Sequence, residues 1–435
     1  MPLSDLVVIV TALLVGGFLL FYRPLAQSSA WRATITPLAS IMGSGFLVCA
    51  PLLYANVGNY AVCAMGGLLV LAYGVGAVIR FNIRYGEPVL AQHCSAGKGA
   101  TDQHPQHMGH CHGAQRCGPA GAAGLLEKVS HIVLAGAYCI SVSYYLQLLA
   151  GFGLKYFSLE SGWYGKGLVT LILVGVGAVG TVRGLKGIER VERVVVGINL
   201  AMIAALVAGL IHYNATAALI DGTWQLHALA SSGDAGHVVR MVMGMLIVVQ
   251  GFETSRFLGA EHSAEERIRT MRTAQLVSTA IYVAFVGLMA LVIGRTGLDN
   301  SAGITAIVNY SGVVAPILPL LLTLTAVGSQ FSAATADDAG CSGLLEAILK
   351  GLIPVKFNYL VVSVAAIVIT WLTDVYQIIS YASRAFALFY VLQCAVAVLI
   401  LRRVAPSYSF WSRVILFGFL GLSCLGVTIF GIPAE

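Results

Sequence analysis

Glu253 is the first residue that needs a reason. It stands in Val249-Gln250-Gly251-Phe252-Glu253-Thr254-Ser255-Arg256, at the end of a strongly apolar run. An ionisable side chain inside hydrocarbon is costly and marks a functional candidate. Gly251 weakens a helix at that point, so Gln250, Gly251, Phe252, Glu253 and Thr254 together form a candidate break. There Glu253 could hold a cation, a substrate amine or a proton. The bland alternative is that Glu253 already lies at the end of the run and pairs with Arg256. Hydroxyls form a second group. Ser329 and Ser332, in Gly328-Ser329-Gln330-Phe331-Ser332, are three apart and share a helix face. Small hydroxyls can supply oxygens to a hard cation such as sodium; equally, they can bond back to their own helix. Asp337 and Asp338, just beyond, are expected to reach cytoplasmic water.

Ser40-Ile41-Met42-Gly43-Ser44-Gly45-Phe46-Leu47 is a second interruption, again inside an apolar run. Two glycines around a serine are poor filling for a continuous helix. Backbone groups freed inside a bilayer are tolerated only against protein or a polar cavity. Met42, Gly43, Ser44 and Gly45 are therefore candidates to meet a solute, unless these small residues only let another helix approach closely. Tyr138 and Ser141 stand at helical spacing and could line the same cavity. A third feature is chemically unrelated. Residues 89–124 carry His93, Cys94, His104, His107, His110, Cys111, His112 and Cys117. Imidazole and thiolate suit zinc, nickel or copper, so His104, His107, His110, Cys111 and His112 are candidate metal ligands. The spacing matches no standard zinc module, and a plain cytoplasmic connector is the competing reading.

The elements that carry these groups follow from composition. The 435 residues are 58% hydrophobic and 10% charged, with a mean hydropathy of +0.85. Soluble domains hold about 25% charged residues. This is the composition of an all-α polytopic membrane protein, whose helices need ~20 apolar residues each. Twelve spans are expected, at about 5–23, 34–55, 60–84, 129–152, 165–182, 193–212, 237–258, 273–294, 311–335, 357–373, 375–401 and 411–432. The first is read as a retained helix. Most Lys and Arg fall in alternate loops, which makes those loops cytoplasmic and places both termini outside. The net charge of +6 is thus an orientation signal and implies no nucleic-acid partner.

The two interruptions open successive sets of five spans. Five is odd, so the sets enter the membrane oppositely. That is the pattern of an inverted repeat with a broken helix in each half, the sequence pointer to a midplane binding site in secondary transporters. The expected layout is an extra N-terminal helix and linker (1–33), a first five-helix repeat (34–212), a second, inverted repeat (213–401) and an extra C-terminal helix (402–435).

Met42-Gly43-Ser44-Gly45-Phe46 resembles the break in the first core helix of the amino acid–polyamine–organocation (APC) superfamily. Val182-Arg183-Gly184-Leu185-Lys186 is similar to the loop before their fifth core helix, and Gly251-Phe252-Glu253-Thr254 to the break in their sixth. The resemblance covers about 34–401. It implies the leucine-transporter fold, with broken first and sixth core helices around the solute, and transport driven by sodium or protons. It also implies a sodium between the first and eighth core helices, at Ser329 and Ser332 with carbonyls from Ala39 to Met42 opposite. The chain departs from the family in its leading span, its Gln-Gly-Phe-Glu-Thr-Ser string and its His/Cys loop. The resulting expectation is cation-coupled symport of an amino acid or similar small organic solute in a bacterial inner membrane. No cofactor is expected beyond a coupling ion, with Na+ the candidate. Transport of an inorganic cation, motivated by the His/Cys loop, and a non-transporting solute sensor are the alternatives. An enzyme is not expected, since nucleotide-loop and HExxH strings are absent.

Overall fold

Apolar runs of this length fold as helices because a helix satisfies its own backbone where no water can. The computed structural model describes residues 2–43, 45–90, 119–157, 159, 162–183, 188–222, 224–225, 229, 234–259, 262–297, 305–349, 352, 355–404 and 407–434. The described residues are overwhelmingly helical, with no strand among them. Nine helical stretches among them are long and apolar enough to cross a membrane, and Phe357–Leu372 is a shorter apolar helix.

In chain order, α1 is Leu3–Phe21, α2 Arg23–Gln27, α3 Ser29–Gly43, α4 Phe46–Val57 and α5 Ala61–Phe81. A π-helical turn, Asn82–Gly86, follows α5. Next come α6 Pro119–Tyr156, α7 Gly162–Arg183, α8 Ile188–Leu219 and α9 Ala235–Gly244. Two 3-10 segments, Leu246–Val249 and Phe252–Leu258, then lead to α10 Ala264–Thr296. The remainder is α11 Ala306–Val314, α12 Leu318–Leu349, α13 Val355–Leu372, α14 Val375–Val404 and α15 Ser407–Phe430.

The centre of the bundle is α6, which packs along both α12 and α14. Tyr144, Tyr145, Leu148 and Phe152 of α6 are fully buried. The peripheral helices differ in kind. Only Asp5 and Val8 of α1 are buried among its described residues, while Leu13, Leu14 and Phe21 stand exposed. This helix lies on α8, and Asp5 Oδ1 accepts from the Ile317 amide at 3.1 Å, just ahead of α12. The apolar residues left outside, such as Leu171 and Leu422, suit lipid rather than water.

Several helix ends lie beyond the spans read from hydropathy. α6 begins at Pro119, inside the stretch assigned to the long loop. α10 begins at Ala264, where a loop was expected. Its start is fixed by Ser263, whose Oγ accepts from the Glu266 amide at 3.3 Å, a side-chain N-cap. The largest correction concerns α12, which runs through to Leu349. Asp337 and Asp338 are 4% and 3% exposed, so they do not reach water. They sit one helical face apart, against α6 and α13.

Candidate functional site

Both expected interruptions are present. The first separates α3 from α4 at Gly43–Gly45. The second replaces a continuous helix by the two 3-10 segments, with Gln250 extended (ψ 174°) and Gly251 at φ 116°. Only glycine adopts that φ without strain. The two interruptions touch. A Cβ on Gly251 would lie 2.5 Å from Ser40 Oγ and 2.7 Å from the Ile41 nitrogen. A Cβ on Gly45 would lie 3.0 Å from Val248 Cγ2 and 3.1 Å from Tyr144 Oη. Each break therefore depends on the missing side chain of the other. Tyr282 of α10 ties them further, with its hydroxyl 3.0 Å from the Ile41 carbonyl and 2.6 Å from the Val248 carbonyl. Gln330 of α12 donates to the Gly43 carbonyl at 3.0 Å.

A cavity of about 300 Å³ opens beside this junction. Thr36, Ala39 and Ser40 of α3, Tyr138 of α6, Asn199 of α8, Thr254 beyond the second break, and Ser329, Ser332 and Asp337 of α12 line it. The volume lies at the lower end of small-ligand pockets. Among the described residues, Asp337 is the charged group in its wall. Its carboxylate accepts a short hydrogen bond from Ser141 Oγ. The lining is otherwise hydroxyl, amide and apolar, so the wall carries negative character.

Of the residues singled out in the sequence, Ala39, Tyr138, Thr254, Ser329 and Ser332 meet in this cavity. Met42, Gly43, Gly45, Ser141, Gln250, Gly251, Phe252 and Glu253 are buried around it rather than in its wall. Ser44 lies outside the described residues, as do His104, His107, His110, Cys111 and His112. Among the described residues no group of three His, Cys, Asp or Glu could hold a metal.

Glu253 is fully buried. Its Oε2 accepts from the Gly251 amide at 3.0 Å and from Tyr390 Oη at 2.9 Å. Its Oε1 has no partner among the described residues. The alternative pairing with Arg256 does not occur. Arg256 instead binds Glu127 of α6 at 2.8 Å and donates a short bond to Gln393 of α14. Glu127 also takes His131 at 3.0 Å. Three further buried groups near the breaks lack partners among the described residues: Tyr144 Oη, Gln250 Oε1 and Gln330 Oε1. Buried polar atoms left open are costly, and such atoms gathered at one junction are what a polar ligand would satisfy.

Asp337 is the functional candidate that the sequence reading missed. Ser329, Ser332, Ala333, Ala336 and Asp337 continue a single helical stripe, which puts Asp337 on the hydroxyl face but does not show that this face is enclosed.

A family model described as APC superfamily transporter matches residues 23–431. The chain belongs to the APC superfamily. A protein of Aquifex aeolicus (strain VF5), described as uncharacterized, is 34% identical over 408 residues, covering 92% of this chain and 91% of the relative. As an APC superfamily transporter the chain is an integral membrane protein with a small-molecule or ion substrate. The match takes in both interruptions and every helix around the cavity.

Proposed function

We propose that this APC superfamily protein is a secondary transporter that couples sodium or protons to symport of an amino acid or similar small organic solute, by alternating access. The observation that carries the reading is the cavity of about 300 Å³ bounded by α3, α12 and the segment after the second break, with Asp337 in its wall. Half-helices that meet across a cavity offer free amides and carbonyls to a solute at mid-membrane. Asp337 supplies the charge that would receive an ammonium group, and Ser141 and Tyr138 hold that end of the cavity. Ser329 and Ser332, facing Ala39 across the same space, are the proposed sodium ligands with the carbonyls from Ala39 to Met42. Glu253, sealed behind Phe252 and Tyr390, is the group suited to carry a proton.

In this reading α3 with α4, and α9 with the two 3-10 segments, are the broken first and sixth core helices of a five-plus-five inverted repeat. Twelve crossings result, with α1 and α15 outside the repeats. Both termini face outward, and the Glu127–Arg256 network faces the cytoplasm of a bacterium. The test is uptake of radiolabelled amino acids and amines by proteoliposomes, with and without imposed sodium and proton gradients. Uptake that follows either gradient is the expected result. Uptake insensitive to both would remove coupling, and binding without uptake would favour a sensor.

A further inference from the structure

Away from the cavity, the contact between α12 and α13 holds buried oxygens without a partner among the described residues. Asp338 Oδ1, Ser342 Oγ and Asn358 Oδ1 each lack a hydrogen-bond partner among the described residues. All three residues are buried. Asp338 and Ser342 are four apart on α12 and share a face. Asn358 of α13 donates through Nδ2 to the Ser342 carbonyl at 3.1 Å. That bond fixes its carboxamide against this face and leaves its oxygen as an open acceptor. Tyr359, next along α13, lies within electrostatic reach of Asp338, as do Cys139 of α6 and Cys341 of α12. No Lys, Arg or His among the described residues pairs with Asp338.

A carboxylate, a hydroxyl and a carboxamide oxygen on one buried interface present three oxygens that no donor meets among the described residues. Burying an unpaired carboxylate is prohibitive unless a positive charge accompanies it. Oxygen ligands of this kind suit hard cations. We propose that Asp338, Ser342 and Asn358 form a monovalent-cation site, filled by a sodium ion or a proton and distinct from the position between α3 and α12. Asp337, the preceding residue, lines the cavity, so the site begins one residue from the cavity wall. The site stands whatever solute the cavity takes.

The test uses the full chain in detergent, without solute. Radioactive sodium binding is measured at equilibrium, and protonated carboxyl groups are followed by infrared spectroscopy. For a sodium site, Asp338→Asn removes one sodium per chain, and Ser342→Ala weakens binding about tenfold, as loss of one supporting ligand does elsewhere. For a proton site, Asp338→Asn removes a protonated-carboxyl band and Ser342→Ala shifts it. Either pair of results supports the site. Unchanged sodium stoichiometry and an unchanged carboxyl region in a folded Asp338→Asn variant would overturn it. Should that variant not fold, Ser342→Ala alone decides, and an unmoved affinity and band would be the refutation. A Ser329→Ala/Ser332→Ala variant is expected to keep whichever Asp338 signal, sodium or carboxyl band, the unaltered chain shows. Its loss of sodium-driven uptake would bear on the transport reading alone.

Discussion

At the scale of single residues, two buried carboxylates stand in different surroundings. Asp337 faces the cavity and is held by Ser141, while Glu253 is sealed behind it and held by Tyr390 and the Gly251 amide. If Asp337 receives the charged end of the solute, Asp337→Asn should weaken apparent affinity in uptake at least about thirtyfold, since loss of one buried charge partner costs at least ~2 kcal/mol. Tyr390→Phe should act on stability instead. It removes a donor from a buried carboxylate, and thermal unfolding should report a loss of about 1–3 kcal/mol. The burial of Glu253 was legible in the sequence because a carboxylate in an apolar run stands out. That of Asp337 was not. An Asp-Asp pair after an apolar stretch reads as a helix end, and only the position of Ser141 on another helix shows that it is enclosed.

At the scale of elements, the site depends on two helices interrupted at places that pack against each other. Gly251→Ala would force a side chain into φ 116° and against Ser40 and Ile41. The left-handed backbone alone costs about 1–2 kcal/mol, and the clash adds to it. The variant should therefore unfold at lower temperature and lose uptake. Gly45→Ala meets Val248 Cγ2 at 3.0 Å and Tyr144 Oη at 3.1 Å, and should be milder because side-chain atoms can yield. The interruptions themselves were readable from Gly43-Ser44-Gly45 and Gln250-Gly251. The 3-10 winding on both sides of Gly251 was not, because its cause is packing against α3, α10 and α14 rather than local propensity. Helix ends such as Ala264 were hidden by charge, since hydropathy sees only the part of a helix that lies in lipid.

Across the whole molecule, ionic contacts close the end of the bundle where the basic residues gather. Arg256, beyond the second break, joins Glu127 of α6 and Gln393 of α14. Arg267 of α10 forks onto Glu87 at 2.9 and 2.7 Å and donates to the Arg256 carbonyl. Glu127→Ala strands the buried Arg256, and breaking such a pair typically costs about 3–5 kcal/mol. Chemical or thermal unfolding should show that loss, and removing both charges together should cost less. The helical architecture and family were legible from composition and a few short motifs, whereas this network links residues more than a hundred positions apart and had no local sign.

In the proposed mechanism the cavity beside the two interruptions opens alternately to either side under control of a bound cation. Ala336 lines that cavity. A single cysteine placed there, Ala336→Cys in a cysteine-free background, can be labelled in membrane vesicles by a thiol reagent that does not cross the bilayer. The labelling rate from the proposed cytoplasmic side should differ by at least about tenfold among sodium at neutral pH, potassium at neutral pH and potassium at acid pH, because a cation that binds one state better shifts the population. One rate under all three conditions would contradict the account.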